Sequence, residues 1–70
     1  MINIHEKFGE RIRSLRKKGG LTQTDLAGLA SLSLKHIGEI ERGRGNPTLD
    51  SLEKLSLSLG LSLKDMFNFE

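Results

Sequence analysis

Apolar residues recur along this chain at helical intervals. Phe8, Ile12 and Leu15 stand at i, i+4 and i+7, one face of a first helix that Gly19-Gly20 should end. Thr22 offers a hydroxyl to cap a short second helix, with Asp25 three residues on as a box partner and Leu26, Ala27, Leu29 and Ala30 continuing it. Ser31-Leu32-Ser33 reads as a break. Ser33 then caps a third helix running through Ile37 and Ile40 to Glu41. Gly43, Gly45, Asn46 and Pro47 mark a loop, and Thr48 caps a fourth helix with Leu49, Leu52, Leu55 and Leu59 on one side.

Residues 55–63, LSLSLGLSL, alternate strictly, which is a strand signature. Three features favour a helix there. The stripe of Leu49, Leu52, Leu55 and Leu59 already runs through the segment. Gly60 suits a helix terminus, and Ser62 with Asp65 suits the start of a short fifth helix to about Phe67. A lone strand would also lack a partner. On the helical reading Leu57 falls off the buried stripe, as a scattered exposed leucine or a subunit contact.

The pattern predicts an all-α, five-helix domain spanning residues 1–70, with residues 1–5 frayed. Composition narrows its chemistry. Seventy residues make one small domain that buries roughly 60% of its unfolded surface. Its core must be aliphatic, from thirteen Leu and five Ile beside three Phe, with no Trp or Tyr. The absence of Cys excludes disulfides and thiolate metal sites, and two His are too few for a zinc cage. No apolar stretch is long enough for a bilayer or a signal peptide, so a soluble cytoplasmic domain is expected. Charge is uneven: residues 1–44 carry nine Lys/Arg against five acids, and residues 45–70 two Lys against four acids. A polyanion on one side suits such a dipole.

Two short helices joined by a tight turn, the second polar on one face, form a helix-turn-helix, here about residues 22–41. Leu21-Thr22-Gln23-Thr24-Asp25-Leu26-Ala27, then Ile37 and Ile40, Glu41-Arg42-Gly43, and Asn46-Pro47-Thr48-Leu49 resemble the phage repressor and Cro-like (XRE-type) family in order and spacing. Residues 8–17, FGERIRSLRK, match the family's first helix, and Gly60-Leu61-Ser62-Leu63 to Met66-Phe67 its last. The resemblance covers roughly residues 8–67. It implies a lambda-repressor-like fold and a sequence-specific, double-stranded-DNA-binding transcriptional regulator. Ala27 would sit where two helices cross, Ile37 and Ile40 would anchor the third helix, and residues 33–41 would enter the major groove.

On a helical wheel Leu34, Lys35, Gly38, Glu39 and Arg42 lie opposite Ile40. In this motif the helix's leading residues read base edges. Lys35 can donate to guanine, Glu39 can accept from cytosine N4, and Leu34 can pack on a thymine methyl. Gly38 either permits close approach to DNA or only weakens the helix. The bland alternative for Lys35 and Glu39 is an ion pair on a solvated face.

Phosphate contacts are expected from Gln23, in the first turn of the second helix where unpaired N–H groups attract an anion, a role the resemblance also implies. Arg42, Arg44 and Asn46 join it from a glycine-loosened loop, with Ser33, Lys17 and Lys18 as weaker candidates. The resemblance further implies that Arg16 pairs with Glu41 as a structural link. The chain departs from the family's pattern at the turn, where Ser31 replaces the usual Gly, at Ser56 and Ser58, where Ala is common, and at apolar Leu34.

No nucleophile–base arrangement points to an enzyme, and Gly43-Arg44-Gly45 lacks the Gly-Lys-Ser/Thr of a nucleotide-binding loop. His5 and His36 read as surface residues. No cofactor, metal or small-molecule ligand is implied. The competing reading is an antitoxin-like protein-interaction module on the same fold. The expected partner is a two-fold DNA operator, bound by a homodimer. By analogy with the family the dimer would use the C-terminal helices, with Leu57, Leu61, Leu63, Phe67 and Phe69 as contacts or as ordinary core. Small size and resemblance both suit phage, mobile-element or restriction–modification regulators.

Overall fold

The computed structural model describes residues 3–69. Five helices follow in order: α1 (Ile4–Lys18), α2 (Gln23–Ala30), α3 (Leu34–Glu41), α4 (Leu49–Leu59) and α5 (Leu63–Met66). There is no strand among the described residues. The alternating LSLSLGLSL segment is helical up to Leu59, and Gly60 then turns left-handed at φ 69°.

All five helices begin alike. Asn3, Thr22, Ser33, Thr48 and Ser62 are extended, and each side-chain oxygen accepts the backbone N–H three residues on. Each such cap contributes about 1 kcal/mol. At Thr22 the bond is reciprocated, the Thr22 N–H donating to Asp25 Oδ2 at 2.9 Å. Bonds from the Thr22 backbone N–H and side chain hold the Asp25 carboxyl below the usual carboxylate range. α1 starts at Ile4, inside the stretch 1–5 that was expected to fray. The Asn3 cap explains the early start; Met1 and Ile2 lie outside the described residues.

Four helices also end alike. Gly20, Ser31, Gly43 and Gly60 take positive φ after α1, α2, α3 and α4. The N–H of the next residue returns to a carbonyl five positions back: Leu21 to Arg16, Leu32 to Ala27, Arg44 to Glu39 and Leu61 to Ser56. This closure satisfies carbonyls that a helix end leaves bare. Three of the four sites use glycine. Ser31, at φ 53° and ψ 40°, holds the same conformation with a side chain.

The core draws on every helix: Phe8 and Ile12 from α1, Leu26, Ala27 and Ala30 from α2, Ile37 and Ile40 from α3, Leu55 from α4, Met66 from α5. α5 is held against α1 by Phe67, whose ring stacks on Phe8 at 4.8 Å, and by Arg11, whose Nη2 donates to the Asp65 carbonyl at 2.8 Å. The two α4 serines satisfy their hydroxyls within their own helix, Ser56 on the Glu53 carbonyl and Ser58 on that of Lys54.

α1 and the end of α3 approach each other closely at Gly9. A Cβ at Gly9 would collide with the Ile40 carbonyl oxygen and stand 2.8 Å from that of Glu41. The two backbones therefore touch with no side chain between them. Glycine inside a helix costs about 1 kcal/mol relative to alanine, and here that cost allows the contact.

Two outcomes follow from these positions. Gly9→Ala should destabilise the fold by about 1–3 kcal/mol in a urea melt, despite alanine's better helix propensity. A melt at or above the parent's would contradict the contact. Ser31→Gly should instead stabilise by ~1 kcal/mol, raising Tm by roughly 4–8 °C. An unchanged or lower Tm would show that Ser31 carries no strain.

Candidate nucleic-acid interface

α2, the turn 31–33 and α3 form the helix-turn-helix. The inner side of α3 is fixed by Ile37 and Ile40, both buried, with Ala27 beneath the crossing. Its outer side is open. Leu34 is 51% exposed, and the side chains of Lys35 and Glu39 are 86% and 35% exposed. Lys35 Nζ and Glu39 Oε1 stand 4.0 Å apart, a loose pair that leaves both groups available. The Ser33 hydroxyl accepts from the His36 N–H at 3.0 Å and keeps its own hydrogen to donate.

Gly38 does not share this exposure. It is buried, because the Arg42 side chain lies back over it, and Nη1 would be 3.1 Å from a Cβ at that position. Gly38 thus presents no open surface to a ligand in this arrangement, contrary to its expected place on the reading face. The helical projection of side chains toward the N-terminus brings residue 42 over residue 38.

The loop after α3 carries Arg42, Arg44 and Asn46, all exposed. It was expected to be loosened by its glycines, and it is pinned. The Arg44 and Gly45 N–H groups both donate to the Glu39 carbonyl, at 2.9 and 3.1 Å, and Gly43 donates to Ile40. Gly45 is buried against Ile40, and a Cβ at Gly43 would lie 2.8 Å from Glu6 Cγ of α1. The glycines here serve close packing, so the basic side chains project from a fixed backbone.

One polar cluster joins the first three helices. Arg16 donates from Nε to Glu41 Oε2 at 2.7 Å and from Nη2 to Glu41 Oε1 at 3.0 Å, a bidentate pair. Arg16 Nη1 also donates to the Leu21 carbonyl at 2.8 Å. Side-chain exposure is 10% for Arg16 and 3% for Glu41. The bond to Glu41 and its charge hold the Arg16 pKa above its ordinary value against the opposing effect of burial. Gln23 Nε2 adds a third bond to the carboxylate, 3.1 Å from Glu41 Oε1. Because a carboxylate only accepts, the Gln23 amide nitrogen must face it. One amide hydrogen and the backbone N–H groups of Gln23 and Thr24 remain for an anion, the Asp25 N–H being taken by the Thr22 cap. Lys17 and Lys18 are exposed nearby.

Sequence reasoning missed Gly9 and the packing roles of Gly43 and Gly45. For Gly9 a signal was present, since a glycine interrupting an otherwise strong helical stripe marks a close backbone approach as readily as a weak helix; loop glycines such as Gly43 and Gly45 carry no such mark.

A helix-turn-helix family model matches residues 12–66, and the chain belongs to that family, of the Cro and phage-repressor type. It is 40% identical over 68 residues to control protein C.BamHI of Bacillus amyloliquefaciens, covering 96% of this chain and 84% of that one. The crystal structure of the restriction–modification controller C.AhdI from Aeromonas hydrophila superposes with a TM-score of 0.86 at 37% identity, over 89% and 94% of the two chains. That of the biofilm regulator SinR in complex with DNA superposes with a TM-score of 0.81 at 32% identity, over 87% and 98%. The chain spans less than half the length of two other regulators it matches, from Deinococcus deserti and Bacillus phage phi105, at 46% and 38%.

Arg16→Ala should cost about 3–5 kcal/mol, because it leaves the Glu41 carboxylate buried without its cation. The double variant Arg16→Met with Glu41→Leu should recover most of that loss. Equal damage in both, measured by chemical melts, would place the cost outside the ion pair.

Proposed function

We propose that this chain is a sequence-specific regulator of transcription that binds double-stranded DNA with α3 in the major groove. The observation that carries the reading is the division of α3: its inner face is clamped by α1 and α2, while Leu34, Lys35 and Glu39 stand free on the outer one. A helix displayed this way fits the major groove, and its leading residues reach base edges. Lys35 and Glu39 would read guanine and cytosine and Leu34 a thymine methyl. Gln23, Ser33, Arg44 and Asn46 would hold phosphates on either side, with the first turn of α2 supplying N–H groups. Likeness to a SinR structure solved on DNA supports the placement.

A single module of this size covers roughly 600–1,000 Å² of DNA, which favours a two-fold dimer on half-sites about 34 Å apart. Of the expected contacts, Leu57 on α4 and Leu63 on α5 are the most exposed, at 75% and 47%, and Leu61 between them is half-buried. Phe67 stacks one face on Phe8 and keeps 38% exposure, while Phe69 is half-buried against the core. The protein would act at cytoplasmic DNA, without a cofactor, and carry out no catalysis.

Selection of bound duplexes from random DNA tests the reading. The parent should yield a consensus with two-fold symmetry, and Lys35→Ala and Glu39→Ala should each relax it at different positions. Affinity should fall steeply as salt rises. No enrichment together with salt-insensitive binding to a protein would point to an interaction module instead.

A further inference from the structure

Gly38 and Arg42 form a unit that the residues' separate roles do not explain. They are four apart on α3, so Arg42, projecting toward the helix N-terminus, passes directly over Gly38. The three atoms nearest to a Cβ on Gly38 are all from the Arg42 guanidinium, Nη1 at 3.1 Å and Cζ and Nη2 at 3.7 Å. Glycine leaves a notch in the outer face of the helix, and the guanidinium fills it. Arg42 is itself exposed, while Gly38 beneath is buried. The charge thereby sits about one turn nearer to the leading end of α3 than its own Cα, a displacement of roughly 6 Å. It then lies on the same face as Lys35, level with the residues that would meet base edges. An arginine extended from the end of the helix would reach the phosphates instead.

We propose that Arg42 is a base-reading residue, recognising a guanine through its O6 and N7, and that Gly38 is the positioning residue that lets it do so. This rests on the reading of α3 as a major-groove helix. Arginine presents a planar fork of donors that matches those two guanine acceptors, the commonest specific contact in the groove. It also moves Arg42 out of the phosphate-binding group to which its place in the sequence assigned it. Gly38 contributes no contact of its own, and its value is the space it leaves empty.

The test selects bound duplexes from random DNA with the parent, Arg42→Ala, Gly38→Ala and Gly38→Leu, and measures each protein's melt. Arg42→Ala should abolish the preference for guanine at one position per half-site, a loss of roughly 5- to 150-fold in discrimination there. Gly38→Leu, which fills the notch, should abolish the same preference at the same position with Arg42 still present. Gly38→Ala, whose Cβ need only nudge the guanidinium, should weaken it less. Neither Gly38 variant should melt below the parent, because the nearest obstacle is a flexible side-chain end and glycine is the poorer helix former. If Arg42→Ala weakens all duplexes alike and lowers the salt dependence by about one phosphate, Arg42 is a backbone contact and the proposal fails. If Arg42→Ala removes a guanine that Gly38→Leu leaves intact, the notch does not position the arginine. A parent that enriches no sequence overturns the major-groove reading itself, a result distinct from both.

Discussion

The contact between the backbones of α1 and α3 at Gly9 sets the position of everything that faces outward. α3 is only eight residues long, too short to be stable or oriented by itself. Its carbonyl end rests directly on α1, with no side chain interposed, so the angle between them has little freedom. Arg16 lies two turns further along α1 and closes on Glu41 with two bonds, while Gln23 from α2 takes a third. The backbone contact fixes distance; the polar cluster fixes rotation. Buried ion pairs often add little net stability, because desolvation offsets attraction, so the cluster's main effect is orientation.

That arrangement separates the duties of α3 by face. Inward, Ile37, Ile40 and Glu41 are committed to the subunit. Outward, Leu34, Lys35 and Glu39 are kept from the interior, and the loop after the helix is tied back to Glu39 by two N–H groups. Basic side chains on a fixed loop lose less conformational freedom on meeting a phosphate backbone than they would on a mobile one. The uneven charge along the chain takes its spatial meaning here, since Lys35 and Arg42 lie on the outer side of α3 and Arg44 is exposed on the pinned loop that follows.

The helices and their caps were legible because each depends on local chemistry. Thr22 with Asp25, Ser33, Thr48 and Ser62 each announce a start through a side-chain oxygen and a nearby N–H. Gly60 resolves the alternating segment because it ends a helix whose leucine stripe has already begun. Asn3 with Glu6 carries a similar starting signal, obscured by its position at the edge of the chain. Contacts between distant segments were harder to read. Gly9 looks like a defect in a helix until Ile40 and Glu41 are beside it, and Gly43 and Gly45 look like slack until Glu6 and Ile40 are. Gly38 shows the same limit at the site: a wheel places it outside, but only coordinates show Arg42 lying across it. The Arg16–Glu41 link, 25 residues apart in sequence, was suggested by likeness to a family and could not have come from spacing alone.

Titrating the isotope-labelled protein with a selected duplex, and following every backbone amide by NMR, tests the central claim most directly. The account predicts large shifts from Ser33 to Asn46 and in the first turn of α2, growing as salt is lowered. Amides of the core-facing part of α1 should move little. Shifts confined to α4 and α5, with the outer side of α3 silent, would contradict it.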